Sequence, residues 1–361
     1  MKNNPQTILI PIPNKIHKGG ICTYWSAMIH SFQKFSDLEF KVLKVGNRGK
    51  NIFGPPLDQW YFHKASNPKI DMAVINPTIE YKAFFREAMF AKQLIRKGIP
   101  FIAFFHAWNF DFEKKVTHKY KNFFLNSYGR AKKIITLSPE AKEKILEWGY
   151  QGEVVVETTV VNSKMIEHFS IGEKLAAQNF SKKIKILFLA RMEREKGVFE
   201  LIDAFQKIYP DFNNIELILA GNGTAYNEVK SYVENLPGIR LVGYVEGEEK
   251  EMLFKESDLY CLPTYAEGLP VSVLEAMAFG LPIITTKVGG LKYFFKENTM
   301  GYFSKVKDRE DLEQVLRTSL QNPEVLSKIA QYNFDYAQEN LMSDTISKLF
   351  YRHFIGDSTD A

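Results

Sequence analysis

Phe188-Leu-Ala-Arg191-Met-Glu-Arg-Glu-Lys196-Gly197-Val-Phe-Glu-Leu201 reads as the end of a strand, a short loop and the start of a helix. The run 184–190 that leads into it is apolar without alternation, as expected of a strand buried on both faces of a parallel sheet. Runs of the same kind recur at 215–220, 239–245, 258–262 and 282–288, with helical stretches between them. Toward the N-terminus the pattern continues at 7–12, 40–45, 72–76, 100–106 and 133–138, with helical periodicity over 80–97 and 139–148. Strand–helix alternation of this kind predicts parallel sheets with right-handed crossovers. The polar stretch 170–181 separates the two series. The expected fold class is therefore α/β, two Rossmann-like, doubly wound parallel-sheet domains over 1–170 and 171–340. Such domains take ligands at the carboxyl ends of their strands, so the site is expected in a cleft across which the two domains face. A last helix, about 341–361, carries Ile346, Leu349, Phe350 and Phe354 at spacings of three and four and is expected to join the N-terminal domain.

The composition agrees with this architecture. A chain of 361 residues, 45% hydrophobic and 25% charged, has room for two or three domains and is neither disordered nor collagen-like. Cys22 and Cys261 form no CxxC and so offer no cysteine zinc site. They suit a reducing compartment. No run approaches the roughly 18 apolar residues of a membrane span, and the N-terminus is too short in apolar residues for a secretion signal. A soluble, cytoplasmic chain is expected. Residues 1–170 hold 25 Lys+Arg against 14 Asp+Glu, which leaves 22 against 28 for the remainder. A basic first half suggests an anionic partner such as membrane lipid, nucleic acid or a phosphorylated substrate.

Several residues carry candidate chemistry. In Glu267-Gly268-Leu269-Pro270-Val-Ser-Val-Leu-Glu275-Ala-Met-Ala-Phe-Gly280, Pro270 opens a helix that Gly280 closes. That helix is apolar almost all round, so Glu275 is a buried carboxylate and requires a fixed partner. A buried Arg or backbone donor would satisfy it, and so would a pair of ligand hydroxyls. The free amides of the same helix suit a phosphate. Glu267 beside them is either a solvated loop carboxylate or one that meets hydroxyls or a developing cation. Arg191 and Lys196 emerge where two phosphates could be clamped, the Arg as a planar fork and the Lys as a point charge. Gly19-Gly20, Gly221-Asn-Gly223 and Gly289-Gly290 follow strands and serve either close ligand approach or tight turns. The third glycine of the dinucleotide fingerprint is missing, and no Walker A sequence occurs. His106, closing the run 100–105, is either structural or a hydrogen-bonding group for a substrate hydroxyl.

Together these stretches resemble the retaining glycosyltransferases of family 4, which have the GT-B fold. The resemblance rests on the E-x7-E pair Glu267 and Glu275, on Arg191 with Lys196-Gly197, and on Leu219-Ala-Gly221-Asn-Gly223. It is strong over 184–303 and looser before it. It implies a glycosyltransferase that uses a nucleotide-sugar, UDP- or GDP-linked, as donor substrate, with no cofactor and no metal. By the resemblance Glu275 holds the ribose hydroxyls and Arg191 and Lys196 neutralise the diphosphate. Glu267 steadies the oxocarbenium-like centre, His106 lies near the transferred sugar, and Gly19 and Gly20 approach the diphosphate. Gly221, Gly223, Gly268, Leu269 and Pro270 complete the implied donor site, and Ser138 matches a recurrent family position. After Gly290 the family commonly has a Glu; here Leu291-Lys-Tyr-Phe-Phe295 stands instead. Asp111-Phe-Glu113 is a chance near miss to a metal-binding DxD. The implied acceptor is a glycan or lipid-linked glycan in bacterial surface polysaccharide biosynthesis. A nucleotide-sugar epimerase or a non-catalytic GT-B subunit is the alternative. The stretch 112–125, with Lys114, Lys115, Lys119 and Lys121 among Phe112, Tyr120, Phe123 and Phe124, is either a peripheral docking surface for anionic membrane or a solvated face over a core stripe. No nucleic-acid module is recognisable.

Overall fold

The computed structural model describes residues 5–14, 20–46, 54–177, 183–212 and 214–355. The chain forms two compact units, Met1–Val160 with Ile346–Ala361, and Val161–Thr345. The first holds a parallel sheet of β1 (Gln6–Pro13), β2 (Leu38–Val45), β3 (Met72–Ile75), β4 (Phe101–Phe105), β5 (Lys133–Thr136) and β6 (Glu153–Val156) in the order β2-β1-β3-β4-β5-β6. The second holds β7 (Ile184–Leu189), β8 (Ile215–Ala220), β9 (Ile239–Gly243), β10 (Leu259–Leu262), β11 (Ile283–Thr286) and β12 (Gly301–Ser304) in the order β12-β11-β10-β7-β8-β9. Strand succession reverses between β1 and β3 and between β7 and β10. At such a switch point the flanking connections leave to opposite sides and open a crevice at the carboxyl ends.

The central strands β3, β4, β10 and β11 are buried at every position, which is why they read as unbroken apolar runs. Two strands escaped the sequence reading, β6 and β12. Each has four residues and lies at a sheet edge, where only part of the strand is covered. The helix Val271–Ala278 has Pro270 as its N-cap and buries Val273 through Ala278. Gly280, at φ 65°, closes it, with its N–H donating to the Met277 carbonyl.

The last helix, Ser343–Ile355, belongs largely to the first unit. Ile346, Phe350 and Phe354 are buried there, and the Phe350 ring packs on Trp25, Phe32 and Phe104. Leu349, expected in the same stripe, is exposed. His353 adds a polar anchor: its Nδ1 accepts from Lys133 Nζ at 3.2 Å, and its Nε2 donates to Glu157 Oε1 at 2.9 Å.

The units divide at Val160/Val161, ahead of the boundary at 170 expected from the polar stretch. The reason is hydrogen bonding. Val161 N–H donates to the Leu341 carbonyl and Ser343 N–H donates to the Val161 carbonyl, both at 2.8 Å, which ties this segment into the second unit. The helix Ile171–Ala177 follows, and its Lys174 Nζ donates to the Phe254 and Phe279 carbonyls, each at 3.1 Å.

Truncating Phe350→Ala removes a fully buried aromatic side chain, and urea denaturation is expected to show a loss of about 3–5 kcal/mol. Leu349→Ala, on the exposed side of the same helix, should cost less than about 0.5 kcal/mol.

Candidate active site

In the second unit the loops after β7 and β10 meet at the switch point. The first ends in a 3-10 turn, Arg194–Lys196, before Gly197. Gly197 has φ 72°, and a Cβ there would lie 2.1 Å from the Pro263 carbonyl oxygen, so the close approach of the two loops requires glycine. The Glu195 carbonyl accepts from Tyr265 N–H at 2.8 Å and from Thr264 Oγ1 at 3.1 Å. This lacing brings Lys196 Nζ to Glu267 Oε1 at 2.5 Å, with the two side chains only 12% and 15% exposed. Glu267 is therefore no solvated loop carboxylate, and Lys196 already has an anionic partner. Arg191 differs. Its guanidinium is 71% exposed and donates to Glu193 on its own loop.

The loop after β11 settles on the same place. Gly290 N–H donates to the Gly268 carbonyl at 2.6 Å, and a Cβ on Gly289, at φ 51°, would lie 1.6 Å from the Glu267 carbonyl oxygen. Gly221 and Gly223 in turn lie against the Ala190 and Met192 carbonyls. Of the two readings open for these glycines, close packing of loop on loop accounts for all four. Gly268, by contrast, faces open space. Leu269 packs partly on the core, and Pro270 then starts a helix whose N-terminal amides receive no side-chain cap.

Glu275, one turn into that helix, is 3% exposed. Its Oε1 accepts from Lys250 Nζ at 2.6 Å, so the fixed partner is a lysine and neither an arginine nor a backbone donor. Burial pushes the Glu275 carboxyl pKa up, and Lys250 pulls it part of the way back. Lys250 lies on the helix Glu248–Glu256, whose sequence is crowded with charges of both signs, and nothing in the pattern singles it out. The Tyr260 hydroxyl, against the Leu189 carbonyl at 2.9 Å and Ser272 Oγ at 2.8 Å, closes the floor of the switch point.

In the first unit, Asn76 follows β3 at that sheet's switch point and His106 follows β4. Asn76 is buried. Its Nδ2 donates to the Pro11 carbonyl at 2.7 Å, and its Oδ1 accepts from Trp25 Nε1 at 2.7 Å and from His106 Nε2 at 2.9 Å. An amide oxygen can only accept, so His106 carries its proton on Nε2 and leaves Nδ1 as an acceptor. The ring lies 3.8 Å from that of Phe104, and burial pushes its pKa down to about 3. Sequence reading found His106 and missed Asn76; a lone polar residue closing the apolar run 72–75 is the trace it left. Gly20 starts the helix Gly20–Phe32 with open space around it, whereas Gly19 lies outside the described residues. Ser138 is the N-cap of the helix Pro139–Glu147 and accepts from Ala141 N–H.

The basic stretch is built from Phe110–Lys115, a π-helical turn Val116–Tyr120, and Lys121–Leu125. Phe112 and Phe124 are buried and Tyr120 and Phe123 pack on the same core, so these four rings are the core stripe. Lys114, Lys115, His118 and Lys119 line an open cavity of about 680 Å³ with Asp111, Tyr81 and Tyr120, and the exposed rings on this part of the unit are Tyr81 and Phe110. Asp111 pairs with Lys114, and Glu113 accepts from Trp108 Nε1, which gives both carboxylates of the DxD-like triplet structural partners. Among the described residues no group of three or more His, Cys, Asp or Glu could hold a metal ion, and no helix is long and apolar enough to cross a membrane.

Residues 171–335 match the family of glycosyl transferases, group 1. An uncharacterised glycosyltransferase of Methanocaldococcus jannaschii is 30% identical over 48% of this chain and 44% of its own. The amylovoran biosynthesis glycosyltransferase AmsK of Erwinia amylovora is 27% identical over 37% of this chain and 35% of its own. The match thus spans less than half the length of either relative. Over the whole chain, the Anabaena protein HepE, solved in complex with UDP and glucose, has a TM-score of 0.70 at 15% identity and covers 97% of this chain and 99% of its own. The fold is GT-B, and the likeness to the group 1 glycosyl transferases is confined to residues 171–335 of the second unit.

His106 is expected to stay neutral, as the Nε2–H tautomer, down to about pH 4, which long-range proton–nitrogen NMR would read directly. Because its pKa is lowered, its contribution to stability rises as pH increases from about 3 to the ordinary histidine value of about 6.5. Asn76→Ala should release the tautomer preference.

Proposed function

We propose that this protein is a retaining glycosyltransferase of family 4 that moves a sugar from a nucleotide-sugar, UDP- or GDP-linked, to a glycan or lipid-linked glycan. The observation that carries the reading is the Lys196–Glu267 pair beside a helix N-terminus without a side-chain cap, at the switch point between β7 and β10. Phosphates bind where backbone amides and a mobile cation converge. A donor diphosphate placed there draws Lys196 toward its oxygens and releases Glu267. Arg191, exposed and on the same loop, adds a second cation for the leaving group.

The chemistry follows from charge. As the bond from the anomeric carbon to the diphosphate breaks, negative charge grows on the phosphate and positive charge on the sugar ring. Lys196, Arg191 and the helix amides stabilise the first, and the Glu267 carboxylate stabilises the second and accepts from sugar hydroxyls. Glu275 accepts from the ribose hydroxyls. His106, neutral and fixed in one tautomer by Asn76, offers a hydrogen bond to the transferred sugar without adding charge. The reaction retains configuration at the anomeric carbon and uses no metal or cofactor.

Two neighbours support the biological setting. HepE is described with UDP and glucose, and AmsK by its part in amylovoran biosynthesis. We place this chain likewise in bacterial surface polysaccharide assembly, in the cytoplasm. Its basic cavity at Lys114, Lys115, His118 and Lys119, near exposed Tyr81 and Phe110, supports peripheral contact with anionic lipid that presents the acceptor.

Thermal unfolding with UDP, GDP, ADP, CMP and their sugars tests the donor site. One nucleotide family should stabilise the wild type, by about 2.7 kcal/mol at a hundred times its Kd, and fail to stabilise Lys196→Ala or Glu275→Ala. No shift with any donor, in the presence of membranes and acceptors, would leave a binding subunit. With a donor in hand, Glu267→Gln should lower kcat about 10²- to 10³-fold. For the membrane, co-sedimentation with anionic vesicles should weaken with added salt and in the Lys114→Gln/Lys115→Gln/Lys119→Gln variant; sedimentation indifferent to both would remove the docking role.

A further inference from the structure

Glu275 is a carboxylate with 3% of its side chain exposed, inside the helix Val271–Ala278 where Val273 through Ala278 are all buried. Desolvation of such a group drives it toward the neutral acid. A neutral carboxylic acid is a poorer partner for a vicinal diol than a carboxylate, because one oxygen becomes a donor and two hydroxyl protons need two acceptor sites. Lys250 Nζ stands 2.6 Å from Glu275 Oε1 and is itself 22% exposed. It comes from a different element, the helix Glu248–Glu256. From β10 the Tyr260 hydroxyl faces the same region; burial holds its pKa up, with the charges of Glu275 and Glu267 adding to this, so it is a neutral donor and no counter-ion. Lys250 is the salt-bridge partner of Glu275.

We infer that Lys250 is the positioning residue of the donor site: it holds Glu275 ionised and fixed on one oxygen, so that the carboxylate can accept both hydroxyls of the donor ribose. The ribose part of this rests on the donor-site reading above; the charge part stands on the pair alone. Lys250 acts through Glu275 without itself touching the diol. The pair also explains how a buried carboxylate is accommodated in an apolar helix. A cation on the neighbouring helix supplies the partner that the helix's own sequence lacks.

The consequence for pH has a definite sign. The folded-state pKa of Glu275 is raised above that of an exposed carboxyl, so its favourable term is complete below the unfolded-state pKa and is lost as pH rises through the folded value. Removing Lys250 raises that value further and moves the loss to higher pH.

Two measurements test this. Without ligand, the unfolding midpoint of Lys250→Met, compared with wild type, should fall as pH is raised, and adding Glu275→Gln should abolish that extra slope. Equal slopes in wild type, Lys250→Met and Lys250→Met/Glu275→Gln would overturn the inference. With ligand, UDP, GDP and ADP are each compared with their 2′,3′-dideoxy counterparts. The wild type should prefer one ribose form about 10- to 100-fold at pH 7. Lys250→Met should weaken that preference at pH 7 and recover it as pH is raised, and Lys250→Arg should keep it. A Lys250→Met variant that distinguishes the two sugars as well as wild type does at pH 7 would overturn the positioning role. If the wild type binds a nucleotide without distinguishing the sugars, or binds none, the ribose role of Glu275 falls with the donor-site reading. The ligand-free slopes then decide the pair by themselves.

Discussion

Glycine backbones after β7, β8 and β11 let these loops and the loop after β10 approach within distances that a Cβ would forbid, and the candidate site depends on that contact. A Cβ at Gly197 would meet Pro263, and one at Gly289 would meet the carbonyl of Glu267. Held this closely, the loops carry Lys196 and Glu267 into a pair that neither loop specifies alone. The strand order β10-β7-β8 puts the β7 and β10 loops side by side in the first place.

Three of the candidate side chains are partly or fully withdrawn from water and matched by a group from another element, whereas Arg191 is exposed and pairs with Glu193 on its own loop. Lys196 meets Glu267, Glu275 meets Lys250, and His106 meets Asn76. In the first two the partner is a full opposite charge. In the third the partner is a neutral amide oxygen, so the imidazole stays uncharged and its tautomer is set. A buried pair of this type adds little net stability over an apolar replacement, whereas losing one member leaves an uncompensated charge.

The apolar packing that does hold the fold is one cluster in the second unit and two, one on each face of the sheet, in the first. In the first unit it draws in the last helix, where Phe350 fills a space between Trp25, Phe32 and Phe104. In the second, Phe279 stacks on Phe254 at the point where Lys174 caps both of their helices. Cations at helix carboxyl ends are favourable, and here one ammonium serves two ends at once.

Among the described residues ten of the twelve strands were legible as apolar runs, most plainly the inner ones, because a strand covered on both faces has no reason to alternate. The edge strands β6 and β12 were not, because an edge asks little of four residues. The spacing of Glu267 and Glu275, and the cations Arg191 and Lys196, could be read directly, since strand, loop and helix are local and their residue types declare themselves. Burial of Glu275 was also readable, from the apolar helix around it. Its partner was not: Lys250 is one of two lysines on a charged helix, and only the packing of that helix beside Val271–Ala278 selects it. The same holds for Asn76 and His106, thirty residues apart, and for the unit boundary at Val160, which follows from backbone bonds to residues 341 and 343. The sequence by itself determined the two-sheet architecture and which residues carry charge at strand ends, because both are matters of local pattern. Which charges are joined was decided by tertiary structure alone, because a pair between distant elements leaves no periodicity in either of them.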